Sequence, residues 1–195
     1  MAGKSEDIGN ADPRAMTFFP GISPSILGDA LVVEYGNMAS LDIIRAHAHE
    51  VAAVLVEPIQ SRRPELQPVE FVRALRKLTE ETGIVLIFDE MVTGFRIHPG
   101  GAQAWFGVKA DLAAYGKIAG GGMPIGIIAG KASIMNYIDG GVWQYGDDSF
   151  PPAGVTFFAG TFVRHPLAMV AAKAMLTRLK EAGAELQANL ARKTG

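Results

Sequence analysis

IVLIFDEMVTGFR, residues 84–96, opens with five consecutive apolar residues and turns polar at Asp89 and Glu90. A run of that length, ended by a charge, reads as a strand buried on both faces, the form strands take in parallel sheets. Working outward, residues 52–56 (AAVLV) repeat the pattern and end at Glu57-Pro58. Residues 112–115 (LAAY), 124–129 (PIGIIA) and 31–33 (LVV) are shorter strand candidates. Helical stretches lie between them. Residues 68–82 carry Phe71, Leu75 and Leu78 at helical spacing, with Gly83 as the stop. Ser40 is expected to cap a helix running through Leu41, Ile43, Ile44 and His47. Residues 103–108 predict a short helix, and 166–193 a long one broken near Gly183. Strands alternating with helices predict an α/β fold with a mainly parallel sheet. Residues 1–30, rich in Gly, Pro, Asn, Asp and Ser, are expected to be irregular, and 31–195 to form the α/β domain.

Composition narrows the function. Of 195 residues, 49% are hydrophobic and 19% charged, an ordinary globular mix. The net charge of -2 offers no basic excess to attract nucleic acid or an anionic membrane. With no cysteine, disulfides and thiolate metal sites are excluded and a reducing cytoplasm suits the chain. Neither a signal-peptide h-region nor an apolar run long enough to span a bilayer appears, so a cytoplasmic protein is expected.

Functional groups in such sheets gather past the carboxyl ends of the strands. Glu57, Asp89 and the segment leading to Lys117 all fall there. Asp89, desolvated at a strand end, needs a partner. A helix cap or salt bridge would serve, and so would a cationic ligand group such as a protonated pyridine nitrogen. Lys117 sits in YGKIAGGGMPIG, residues 115–126, among apolar and glycine residues. A lone lysine usually belongs to the solvated surface. In this setting a nucleophilic amine able to form a Schiff base and move protons is the alternative. Thr161, beside Gly160 and just before a helix, suits a phosphate or a helix cap. His47 and His49, expected on one helix two residues apart, face different ways, and His98 and His165 stand alone, so no metal site is expected. No G-x-S-x-G, G-x-G-x-x-G or Walker pattern is present. Arg62-Arg63 suits solvated surface or an acidic partner.

Taken together, these motifs resemble the class III pyridoxal-phosphate-dependent aminotransferases. Residues 84–96 resemble the family's Asp-Glu-Val-x-Thr-Gly-Phe-Arg segment, and residues 115–126 its lysine motif, most like that of glutamate-1-semialdehyde aminomutase. AGTFVRHPLAM (159–169) and VLVEPIQ (54–60) resemble two further segments in the same order. The resemblance implies the large domain of the type I fold, present in part, without the front portion or the small C-terminal domain. It implies pyridoxal 5'-phosphate as cofactor. Asp89 would bind the ring nitrogen, Val92 would pack on the ring face, and Lys117 would carry the internal aldimine. Thr161 would reach the cofactor phosphate, usually that of the neighbouring subunit in a homodimer. Glu57 would be structural.

Two departures, Gln60-Ser61-Arg62-Arg63-Pro64 and Arg164-His165, are similar to aminotransferase domains of polyketide–nonribosomal peptide megasynthases. Those domains aminate a β-keto acyl chain on a carrier protein, which Arg62 and Arg63 would then contact. The implied activity is transfer of an amino group from a donor to a keto or β-keto acyl acceptor. An intramolecular amino shift of the aminomutase type uses the same lysine and aspartate. The rival from another class is a non-catalytic α/β module, and the piece by itself is expected to turn over little.

Overall fold

In the computed structural model the described residues are 23, 25, 28–139, 141, 146–149 and 155–194. The irregular segment expected over 1–30 lies largely outside them. The chain divides into two compact units, residues 1–52 with 66–84, and residues 53–65 with 85–195.

The first unit holds α1 (Ala39–Ala46) and α2 (Val69–Thr82). α2 buries Phe71, Val72, Leu75 and Leu78 along one stripe. Tyr35 meets Phe71 edge-on, ring centroids 5.4 Å apart, and burial pushes its phenol well above the usual value. Pro68 precedes α2, and Gly83 ends it in the left-handed region at φ 77°. Ser40 does not cap α1. It lies inside the helix, buried, and its hydroxyl donates to the Glu34 carbonyl at 2.8 Å. The Asn37 side chain instead accepts the Ala39 N–H at 3.0 Å. His47 and His49 fall after α1 rather than on it, with His47 paired to Glu50. Leu31 holds only an isolated bridge position, so residues 31–33 form no strand.

The second unit is built on a four-stranded sheet: β1 (Ala53–Val56), β2 (Val85–Asp89), β3 (Leu112–Tyr115) and β4 (Ile127–Gly130), in that order. β1, β2 and β3 run parallel, and β4 returns antiparallel to β3. A parallel neighbour needs a long crossover. Residues 116–126, wound into a 3-10 turn at Lys117–Gly120, are too short for one. Leu86 and Phe88 point to one fully buried face. The Leu86 N–H donates to Asp111 Oδ2 at 2.8 Å, and Lys131 holds the other Asp111 oxygen at 2.6 Å.

β1 departs from its sequence reading. Burial alternates along it and Leu55 is 68% exposed, so one face of this edge strand is bare. α3 (Gly101–Phe106) begins two residues earlier than expected, and α4 (Ala132–Asp139) was not anticipated. α5 (Pro166–Thr194) is interrupted at Gly183, as the sequence predicts. The 3-10 turn packs on α5 so closely that a Cβ on Gly121 would lie 2.8 Å from the Ala171 carbonyl. No helix among the described residues is long and apolar enough to cross a membrane.

Gly83 has open space around its Cα, so its φ is its only demand. Gly83→Ala is expected to destabilise the chain by about 1 kcal/mol in urea unfolding, and Gly83→Asn by less.

Candidate functional site

The carboxyl ends of β2 and β3 bring two of the expected residues together. Asp89 closes β2 and pairs in register with Ala114 of β3. Lys117 begins the turn directly beyond β3. Paired strands lie about 4.8 Å apart, so both residues emerge at one edge of the sheet. Asp89 is half-buried. Its Oδ1 accepts the Met91 N–H at 2.9 Å, and its other oxygen has no hydrogen-bond partner among the described residues. Lys117 is exposed, and its side chain makes no ion pair or hydrogen bond among them. Its backbone sits at φ 44°, a left-handed conformation that strains a non-glycine residue by about 1–3 kcal/mol.

Gly116 explains how the turn fits. A Cβ there would overlap Met91 Cε and lie 2.9 Å from its sulfur and 3.1 Å from the Ile125 carbonyl. Met91 therefore touches both parts of the site: its N–H holds Asp89, and its thioether lies on the lysine turn. Val92 follows in the same loop, half-buried.

The neighbouring carboxylate behaves differently. Glu90 is 1% exposed. Its Oε2 accepts the Thr93 hydroxyl at 2.5 Å and the Ala102 N–H at 2.8 Å, and its Oε1 accepts the Gln103 N–H at 3.0 Å. The Gln103 side chain in turn donates to the Tyr115 hydroxyl at 3.0 Å and accepts the Ala110 N–H at 3.0 Å. Burial pushes the Tyr115 phenol above its usual value, the Glu90 charge pushes the same way, and the bond from Gln103 opposes both. The Tyr115 ring rests 5.4 Å from that of Phe95. Phe95, at φ 65°, has its carbonyl held by the Gln187 amide of α5 at 2.9 Å.

Thr161 lies apart from Asp89 and Lys117. It is exposed in the turn before α5 and makes no side-chain hydrogen bond among the described residues. It lines a groove of about 1350 Å³ with Ile125, Phe158, Phe162, Met169 and Leu176, which neither Asp89 nor Lys117 borders. Glu57 closes its own turn by accepting the Ser61 N–H at 3.0 Å. Arg63 meets Glu65 at 3.8 Å in solvent, and Arg62 is exposed. No three metal-ligating side chains gather among the described residues.

The sequence reading did not single out Glu90 as a buried anchor, nor Met91, Gln103 and Tyr115. One local signal was available: Glu90 precedes Thr93 by three residues and lies shortly before the Gly100-Gly101 helix start.

The family description "Aminotransferase class-III" matches residues 30–194. A glutamate-1-semialdehyde 2,1-aminomutase of Alkaliphilus oremlandii is 40% identical over 83% of this chain, which spans 36% of that relative. An omega-transaminase from Sphaerobacter thermophilus superposes with a TM-score of 0.76 at 32% identity, over 91% of this chain and 38% of its own. A solved transaminase with PLP bound gives 0.73 at 28% identity, over 87% and 39%.

Gly116→Ala is expected to destabilise the chain by about 1–3 kcal/mol in chemical unfolding, with Met91→Ala partly relieving it. A spectrophotometric titration, compared with Tyr115→Phe, should place Tyr115 ionisation above about pH 10. The folded chain holds that proton more tightly than the unfolded one, so stability present below the ordinary tyrosine value declines as pH rises past it.

Proposed function

The chain belongs to the class III aminotransferase family, and from that premise we propose that it forms the catalytic heart of a pyridoxal-phosphate enzyme transferring an amino group to a keto or β-keto acyl acceptor. One observation carries the reading. The carboxylate of Asp89 and the amine of Lys117 stand at the ends of two hydrogen-bonded parallel strands, each with a polar atom unpartnered among the described residues.

Pyridoxal phosphate is the cofactor, and when bound its ring withdraws electrons from the carbon bearing the substrate nitrogen. The residues present fit it. Asp89 would offer its open oxygen to the ring nitrogen and keep a proton there, because an anion alongside favours the charged form. Glu90, already saturated with donors, has no such capacity. Lys117 Nζ would hold the cofactor through its aldehyde carbon and would serve as the base that moves a proton during transfer. Val92 would border the ring face. Thr161, exposed in a groove that Lys117 does not border, would reach the phosphate held by a neighbouring subunit of a homodimer. In this assignment residues 31–195 are part of the large cofactor-binding domain.

The 40% identity to an aminomutase supports a second reading, an intramolecular amino shift. The two differ in whether a separate amino donor is consumed. The exposed Arg62 and Arg63 support the finer proposal of an acceptor presented on an acidic acyl carrier protein.

Adding pyridoxal phosphate to the whole protein that carries this sequence should give a visible absorption band that Lys117→Ala abolishes. A flat spectrum from the unaltered protein would support the non-catalytic module instead. Asp89→Ala is expected to slow amino transfer by about 100-fold or more, since it removes a charge aimed at the reacting group. Replacing Arg62 and Arg63 together by Ala should slow transfer to carrier-bound acceptor while sparing free acceptor. Equal rates on both would remove the carrier from the proposal.

A further inference from the structure

We propose that Glu90 is a positioning residue, which fixes the Lys117 turn through Gln103 and Tyr115. The inference rests on the reading of Lys117 given above, and extends it to a residue that touches neither substrate nor cofactor.

The path is continuous. The Glu90 backbone N–H donates to the Ala114 carbonyl at 2.9 Å, extending the β2–β3 ladder one step beyond Asp89. Its side chain binds the N–H groups of Ala102 and Gln103, which sets the start of α3. That start orients the Gln103 side chain, whose amide meets the Tyr115 hydroxyl. Tyr115 is the last residue of β3, and only Gly116 separates it from Lys117. The packing around this path leaves little slack. A Cβ on Gly94 would lie 2.7 Å from both the Glu90 carbonyl and the Tyr115 ring, and one on Gly101 would lie 2.5 Å from the Glu90 carboxylate.

The turn needs such support. Lys117 holds a left-handed backbone that its own side chain disfavours, and an unsupported segment would relax from it. A buried carboxylate accepting three hydrogen bonds is held rigidly, because removing any donor leaves a buried group unsatisfied. Glu90 therefore acts as a fixed anchor to which the strained turn is tied at two removes.

The test reads the turn directly. Hydrogen exchange over residues 115–122 is measured in the whole protein, with β1 as the internal reference, for Glu90→Gln, Gln103→Leu and Tyr115→Phe. Each variant should speed exchange in the turn by about tenfold or more, each losing at least one hydrogen bond of the path, while β1 is unchanged. The Gln103→Leu/Tyr115→Phe double variant should be no faster than Gln103→Leu alone, because Gln103→Leu already breaks the link to Tyr115 as well as the bond from the Ala110 N–H. With pyridoxal phosphate present, the pH midpoint of the lysine-dependent band should move in the same variants. If Glu90→Gln fails to fold, Tyr115→Phe, which removes one hydroxyl, decides the matter. Turn exchange like that of the unaltered protein in Tyr115→Phe and Gln103→Leu, or effects that add in the double variant, would overturn the proposal. A missing band in the unaltered protein would count against Lys117 as the cofactor lysine, and the exchange result would still decide the part played by Glu90.

Discussion

The parallel pairing of β2 with β3 is the constraint on which the site depends. It places Asp89 opposite Ala114 and continues through the bond from the Glu90 N–H to the Ala114 carbonyl. A slip of one residue would send every side chain of β2 to the opposite face. Leu86 and Phe88 would leave the core, and the two carboxylates would exchange environments. The core thus fixes which acid faces outward. Asp111 reinforces the same register from the other end by accepting the Leu86 N–H.

Asp89 and Glu90 show how adjacent residues of like chemistry acquire different roles. Alternation along a strand puts them on opposite sides. Asp89 keeps one oxygen available at a half-buried edge. Glu90 spends both of its oxygens on the start of α3 and on Thr93. Nothing in their composition separates them. The difference comes from the turn that follows, which brings Gly101 against the Glu90 carboxylate at a spacing only glycine permits.

Much of the fold was legible in the sequence. Residues 84–88 and 112–115 gave strands because uninterrupted apolar runs have few other homes, and Gly83 and Gly183 marked real breaks. The α/β class followed from that alternation. The failures share a cause. Ser40 looked like a cap, yet its hydroxyl found a carbonyl six residues back and no side chain caps the helix from its N-cap position, Met38. The run at 52–56 looked doubly buried, but hydrophobicity records what a strand tolerates and not which layers cover it, and Leu55 is exposed. The direction of β4 was set by the brevity of residues 116–126, a property of spacing that its own residues do not carry. In the candidate site, Asp89 and Lys117 could be singled out because strand ends tend to collect function. Glu90 and Gln103 were hidden because the bonds that join β2 to α3 and α3 to β3 link residues twelve or thirteen positions apart.

The antiparallel return of β4 also bears on how the chain finds this arrangement. β3 and β4 are joined by residues 116–126, whereas β1 and β2 are joined by residues 57–84, a connection about two and a half times as long, which raises the entropic penalty of ring closure by only roughly 0.8 kcal/mol. The hairpin bearing Lys117 at its bend is therefore the more local of the two searches, but by a narrow margin. The strained bend is better understood as something the finished tertiary structure enforces than as a seed around which the rest condenses.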